Sequence, residues 1–555
     1  MAEPLVFTSD LLWPLAAFGT LHEGPAAYFG ELSRSDDPVL AVGAICALVD
    51  NRVASVAQWE EIAAASRYGA VKTRAFAYFQ TQFEHGLARR AAEAPAPSAA
   101  MAELALMQSE LAFDPAGSTQ AYADLFLATG ALNWLTKASE TAELAGGWRE
   151  SLPWALRAMA LAPLDARPLQ RVYMVLDDAG QTGLLLEIAE LLSSRGLHAP
   201  IARIFAATAA LQQGDATACL NRLAPLDDKR AAQTPEIAPY AGRIRALRAT
   251  ATEKLGNYRE AFAEILALKA AERDPKVDPE RFYRGTSIRG ALPIPPLPPD
   301  PRSDVVQMVG FPRSGTTLLE NALAAHQQIE TFEEIPALNA AIDVIERVVL
   351  GKVPPPADPA ETYLAARAKY YEEIDIRRRK PSAIMLVDKM PMRSSDATFL
   401  AKLFPDWRYI FSIRHPYDVA LSCLRQRFTP NPAMENFRTL EGVARTYDHS
   451  MKEWFAHHDM DDPRVHYVRY DHLVTDFEPT VTGVLGFLGV GWEDAVRDFA
   501  KAAEARAVKT PSYQKVRQGV GIGVQTSWQK YGFVFQSSAA APLRKWAEFF
   551  GYEMG

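Results

Sequence analysis

The sequence predicts an α plus α/β chain. An N-terminal helical-repeat superhelix is followed by a P-loop-like, three-layer α/β domain with a parallel sheet. Three observations carry this. The first half is rich in Ala and Leu at helical spacing and poor in β-branched runs. Glycines recur in it at a fixed interval. Beyond a proline-rich stretch, short apolar strand-like runs alternate with helical ones. At 555 residues the chain is too long for a single core, and two domains of roughly 250 residues each are expected.

In the first half, "YREAFAEILALKAAER" (258–273) puts Ala261, Ile265, Leu266 and Leu268 largely on one helical face. Gly146, Gly180 and Gly214 are spaced 34 apart, in "ELAGGWRE", "LDDAGQTG" and "LQQGDATA"; Gly256 in "EKLGNYREAFAE" lies 42 residues further on. A 34-residue period is that of the tetratricopeptide repeat (TPR), a helix–turn–helix unit. Gly256, Tyr258 and Ala261 fit its L-G-x-Y-x-x-A core. One helix pair cannot bury its apolar face alone, whereas a stack can. Residues 1–285 are assigned to this TPR-like domain. By analogy it binds a protein or mediates self-association. The alternative is a generic helical domain with glycines at its turns.

Six prolines fall between residues 293 and 301 in "ALPIPPLPPDPRSD" (291–304). Such a run forms neither helix nor central strand, so 286–302 is predicted to be a stiff extended linker. Strands are expected at "DVVQMVGF" (304–311), "AIMLVDK" (383–389), "WRYIFSIR" (407–414) and "VHYVRY" (465–470), within a second domain spanning 303–555. Ligands of such a sheet bind at the carboxyl ends of its strands.

Composition narrows the function. With 48% hydrophobic and 23% charged residues the chain is globular, and a net charge of −8 argues against general nucleic-acid binding. Cys46, Cys219 and Cys423 lie far apart, so neither a disulfide framework nor a zinc site is expected. The N-terminus carries Glu3 where a signal peptide needs a basic residue, and no apolar run is long enough to span a membrane. A cytoplasmic location is expected.

The chemistry begins at "GFPRSGTT" (310–317). Gly310 and Gly315 have the spacing of a nucleotide-binding P-loop, but Thr316 stands where the lysine belongs. Gly315 lets the backbone approach an anion, and Ser314, Thr316 and Thr317 lead into a helix whose free N–H groups point into the loop. Arg313 adds a planar fork of donors from inside it. A donor with one phosphate bridging to a sulfonyl group carries less charge than a triphosphate and needs no metal there.

This loop resembles the 5′-phosphosulfate loop of sulfotransferases that use 3′-phosphoadenosine 5′-phosphosulfate (PAPS). Among these it is most similar to the tyrosylprotein sulfotransferases and to bacterial proteins joining TPRs to a sulfotransferase domain. A second element supports the resemblance. "IFSIRHPYDVALSCLRQRF" (410–428) is a strand, then Arg414, then a helix opened by Pro416 and carrying Ser422. Its R-x7-S spacing is similar to the family's 3′-phosphate motif, with Arg for bidentate contacts and Ser for a neutral one.

The resemblance implies further roles. A base must take the acceptor's proton. A glutamate 21 residues after the loop arginine does so in tyrosylprotein sulfotransferases, and here that position is Glu334. Glu333 and His326 are the alternatives, with His326 better read as structural. Lys389 in "LVDKMPMRSS" corresponds to the lysine beside the scissile bond, where a cation stabilises the leaving oxygen. Thr526 or Ser527 corresponds to the hydroxyl beside the transferring sulfonyl group. Arg517, Trp528, Tyr470 and Lys545 correspond to nucleotide contacts. Asp388 is set aside as a metal ligand, and no metal is expected.

The sequence also departs from the tyrosylprotein family. Gln426 stands where an extra arginine is expected. Pro336 and Ala340 occupy the positions of arginines that hold acidic peptides, which argues against an acidic-peptide tyrosine as acceptor. Tyr363, Tyr370 and Tyr371 are expected instead as walls of an acceptor pocket, and "RRRK" (377–380) as a solvated charge run. The expected activity is transfer of a sulfuryl group from PAPS to a hydroxyl or phenol, with a protein, a peptide or a small hydroxyl compound as acceptor. The alternatives are a TPR scaffold with an inactive nucleotide-binding domain, and a P-loop kinase.

Overall fold

The structure is a computed structural model and describes residues 9–50, 99–112, 114–226, 234–499 and 527–554. Its internal contacts divide the chain between Leu255 and Gly256 into two compact units.

The first unit is helical throughout its described residues. Pro115–Thr129, Asn133–Gly146, Trp148–Leu161, Ala166–Asp178, Thr182–Ser194, Ala199–Gln212, Ala216–Leu223 and Ala241–Lys254 follow one another, each packing on the next. Leu156, Leu176, Leu185, Ile188, Ile204 and Phe205 are fully buried between them. Gly180 (φ 64°) and Gly214 (φ 91°) turn the chain where the sequence period places them. In the first copy the turn residue is Gly147 (φ 79°), because Gly146 is still the last residue of its helix. A positive φ is open to glycine at little cost. Two polar pairs lie inside the stack: the Tyr173 hydroxyl meets Thr208 Oγ1 at 2.7 Å, and Arg243 lies 2.6 Å from Asp177.

The boundary lies earlier than the expected residue 285. Helix Tyr258–Ala271 packs with the second unit: Lys269 donates to the Gln426 carbonyl, and Arg427 and Arg438 reach Glu272 at 2.6 and 3.0 Å. Helix Glu280–Gly290 does likewise, through the Tyr283 hydroxyl 2.8 Å from Thr446 Oγ1 and Arg289 2.6 Å from Asp396. These partners are scattered along the later sequence, so helical periodicity alone could not assign the two helices. The proline run starts only after Gly290 and is not a free spacer. Arg367 donates to the Pro298 carbonyl at 2.7 Å, and the Tyr371 hydroxyl donates to Asp300.

The second unit is built on five parallel strands, β1 (Val305–Gly310), β2 (Ile329–Glu333), β3 (Met385–Lys389), β4 (Arg408–Ile413) and β5 (Val465–Arg469), in the order β2-β3-β1-β4-β5. Four were expected. β2 was not, since "IETFE" is short and half acidic. β1 pairs with β3 through Val306↔Val387 and with β4 through Gly310↔Ser412. Side chains alternate across it. Val306 and Met308 enter a core with Leu319, Leu323, Val481 and Leu485 from helices Thr316–Ala324 and Phe477–Leu488. On the opposite face Gln307 donates to the Tyr370 hydroxyl of helix Ala360–Asp375 at 2.8 Å. Helices on both faces make the three layers expected of a buried parallel sheet. No helix among the described residues is long and apolar enough to cross a membrane.

Candidate active site

The site forms where β1 ends between β3 and β4. Gly310 (φ 152°) is required there, since a Cβ would lie 2.7 Å from the Ser412 carbonyl oxygen. Ser314 N–H donates to the Phe311 carbonyl at 3.1 Å and tightens the loop. Gly315 (φ 96°) caps helix Thr316–Ala324, and a Cβ on it would meet the Tyr470 ring at 2.4 Å. Ser314, Thr316 and Thr317 are buried at this helix start, where backbone donors and the dipole favour an anion.

Arg313 takes a left-handed backbone, φ 72°. Its Nε donates to Ser422 Oγ at 3.0 Å, and its carbonyl accepts from Arg414 Nη1 at 3.1 Å. Burial, and secondarily the neighbouring Arg414 charge, lower the Arg313 pKa, but a guanidinium stays protonated. Arg414 lies over the Tyr470 ring, 4.5 Å from its centroid, and its buried Nε has no hydrogen-bond partner among the described residues. Ser422 is carried by helix Pro416–Arg425, whose first turn is capped by His415 Nδ1 accepting from Tyr417 N–H at 3.2 Å.

On the other side of the loop, β2 and β3 end together, with Glu333 opposite Lys389. Glu334 follows at φ 51°, its N–H donating to the Lys389 carbonyl at 2.9 Å. The Lys389 ammonium is fully buried and stands 2.9 Å from Glu334, 3.4 Å from Glu320 and 3.5 Å from Glu333. Burial works against its charge, but the three carboxylates outweigh that and raise its pKa. The Glu320 carboxyl is pushed up to about 8 by burial. Glu334 is 46% exposed along its side chain, so its carboxylate remains open to a ligand. Among the described residues only three non-glycines have positive φ, namely His198, Arg313 and Glu334. Two of the three flank this loop, and backbone strain of this kind clusters at functional sites.

Trp528 is buried, stacked on His415 with centroids 4.9 Å apart, and its backbone N–H donates to Asp418 Oδ1 at 3.1 Å. Lys545 is exposed on helix Ala541–Phe549, its ammonium over the adjacent Trp546 ring. Ser527 opens the segment Ser527–Val534, but its side chain, like Thr526 and Arg517, lies outside the described residues, as do Gly519, Gly521 and Gly523.

Several expectations change. Tyr370 and Tyr371 do not wall a pocket: both are buried, and their hydroxyls donate to Asp388 and Asp300. Tyr363 is buried as well. Within "RRRK", Lys380 is not solvated, since its ammonium donates to the carbonyls of Ala324, His326 and Ile329 beyond the end of the loop helix. His326 is structural, accepting from Gln328 N–H through Nδ1 and bonding the Gly491 carbonyl through Nε2. Asp388 is fully buried against Arg393 at 2.5 Å. Glu320 is the residue that sequence reasoning missed. Its signal is a charge inside the apolar run "TTLLENALAA".

Comparison with known proteins agrees with this geometry. Residues 306–494 match the sulfotransferase family. The sulfotransferase-matching region thus runs from β1 past β5, through every strand of the sheet. Over 242 residues, 42% of the chain, the sequence is 26% identical to an uncharacterized protein of Aquifex aeolicus (strain VF5), 31% of which is covered. Over 194 residues, 34% of the chain, it is 27% identical to protein-tyrosine sulfotransferase 1 of Danio rerio, 53% of which is covered. The chain therefore spans between about a third and about half of these relatives. A sulfotransferase domain from the Synechococcus PCC 7002 olefin synthase aligns with 46% of the chain and 98% of its own length, at 21% identity and a TM-score of 0.34.

Proposed function

We propose that residues 303–555 form a PAPS-dependent sulfotransferase that moves a sulfuryl group to a hydroxyl or phenol. The family match supports sulfuryl transfer in general. The observation that carries the donor assignment is the hydrogen bond from Arg313 Nε to Ser422 Oγ. It makes one continuous anion site of the loop and the R-x7-S motif. ATP has no 3′-phosphate for Arg414 and Ser422 to hold.

The residues fit such a donor. The loop helix offers backbone N–H groups for the 5′-phosphate, and a Cβ at Gly315 would close that cradle. Arg414 has an unpartnered buried Nε for the 3′-phosphate. The donor itself supplies an activated sulfonyl group. Glu334 takes the acceptor's proton as the acceptor oxygen bonds to sulfur, while Lys389 and Arg313 balance charge on the departing phosphate oxygen. Thr526 or Ser527 is the proposed hydroxyl donor, and Tyr470, Trp528, Arg517 and Lys545 are the proposed nucleoside contacts. The helical first unit is proposed to be a TPR-like stack that binds a protein or self-associates, which makes a protein or peptide acceptor the favoured class.

The test is transfer from radiolabelled PAPS into a native lysate, separated into macromolecular and small-molecule fractions. Label in either fraction is the expected result. A melting temperature raised by ATP with Mg²⁺ but not by adenosine 3′,5′-bisphosphate overturns the donor assignment. No label in any fraction, despite bisphosphate binding, favours a scaffold without catalysis.

A further inference from the structure

Glu320 has no role in the reading above, yet it is the most deeply buried of the three carboxylates around Lys389, with 5% of its surface exposed. It lies on helix Thr316–Ala324, one turn beyond the residues that line the anion loop. Its Oε2 stands at ion-pair distance, 3.4 Å, from Lys389 Nζ but makes no hydrogen bond among the described residues. A carboxyl group left half satisfied in the interior carries a desolvation cost and persists only where something offsets it. Among the described residues the cation opposite it is Lys389, which Glu333 and Glu334 share.

We propose that Glu320 is a positioning residue that anchors the Lys389 ammonium from the loop helix, so that the lysine is held between Glu320 and Glu334 until an anion enters the loop. The proposal rests on the sulfotransferase reading of the loop. The helix bearing the anion-binding N–H groups also bears Glu320, so loop and lysine are fixed by one rigid element. The charged groups facing Glu320 are Lys389 from β3 and Glu333 and Glu334 at the end of β2. Burial favours its neutral form up to about pH 8. Above that pH the ionised carboxylate binds the ammonium more tightly and draws it from the donor.

The test is Glu320→Gln in the full chain, which keeps shape and removes the titration. The first readout needs no turnover: the pH dependence of the Lys389 13Cε resonance in lysine-labelled protein, assigned by its loss in Lys389→Gln. A step near pH 8 in the wild type that vanishes in Glu320→Gln is expected. The second readout is kinetic. The variant should lose the fall in rate above pH 8 that the wild type shows, with the donor KM within about twofold. A wild-type resonance without the step, or a step that persists in Glu320→Gln, overturns the proposal. A step that behaves as expected in a protein that transfers no sulfuryl group upholds the anchoring and overturns the sulfotransferase reading alone.

Discussion

Arg313 Nε donates to Ser422 Oγ across 3.0 Å, joining two segments 109 residues apart in the chain. The bond fixes the loop guanidinium at the strand ends while its backbone stays left-handed. Arg313→Ala is expected to lower kcat by about 10²-fold to 10³-fold, as for removal of a preorganised donor. Arg313→Lys should recover little, because an ammonium lacks the planar fork. Single-turnover transfer from labelled PAPS checks both.

Arg414 is proposed to read a different part of the donor. Arg414→Ala should weaken adenosine 3′,5′-bisphosphate by about 10-fold to 100-fold, the range for one charge-assisted contact. Adenosine 5′-phosphosulfate, which has no 3′-phosphate, should be far less affected. Calorimetric titration of both ligands decides this, and equal losses for the two would exclude the 3′-phosphate assignment.

Gly315 is held by space as well as by φ. Gly315→Ala forces a Cβ to 2.4 Å from the Tyr470 ring at φ 96°. A stability loss of about 1–3 kcal/mol is expected from the strain, with weakened bisphosphate binding. Tyr470→Ala in the same chain should recover part of the stability by opening that space, and denaturant titration of the pair measures it.

Asp388 belongs to a buried polar network under the sheet with Arg393, Tyr370 and Gln307. Asp388→Ala leaves a buried guanidinium uncompensated and should cost about 3–5 kcal/mol of stability. Mg²⁺ should make no difference to its effect on ligand binding, in contrast to a metal-holding aspartate.

Glu320 makes stability depend on pH with a definite sign. Its carboxyl rises from 4.5 to about 8 on folding because of burial. Between these values the folded state holds a proton that the unfolded state has released, so stability falls as pH rises through the window. Glu320→Gln should flatten that slope. A chemical-denaturation series across the window tests it, and an unchanged slope would point to another group.

Much of the second unit was legible in the sequence. β1, β3, β4 and β5 announce themselves as apolar runs, and the loop's glycines and arginine mark the anion site. What was hidden depends on contacts distant in sequence. β2 is half acidic because its end carries Glu333 to Lys389, which no local pattern reports. The Tyr370–Tyr371 pair reads as acceptor-pocket walls in the sequence because its acidic partners, Asp388 and Asp300, lie elsewhere in the chain. The helical period located the turns at Gly180 and Gly214 but could not tell which unit helix Tyr258–Ala271 packs with, since Glu272 and Lys269 find their partners between residues 426 and 438.

That last helix bears on how the chain can be dissected. A protease that nicks near the proline run would free a fragment beginning at residue 303 without Lys269 and Tyr283. It would leave the Gln426 carbonyl and Thr446 without those donors and Arg438 without Glu272. A fragment that starts at Gly256, where the second unit begins, retains these partners. An exchange of the helical first unit would be cleanest at that glycine, leaving both following helices with the sheet they brace.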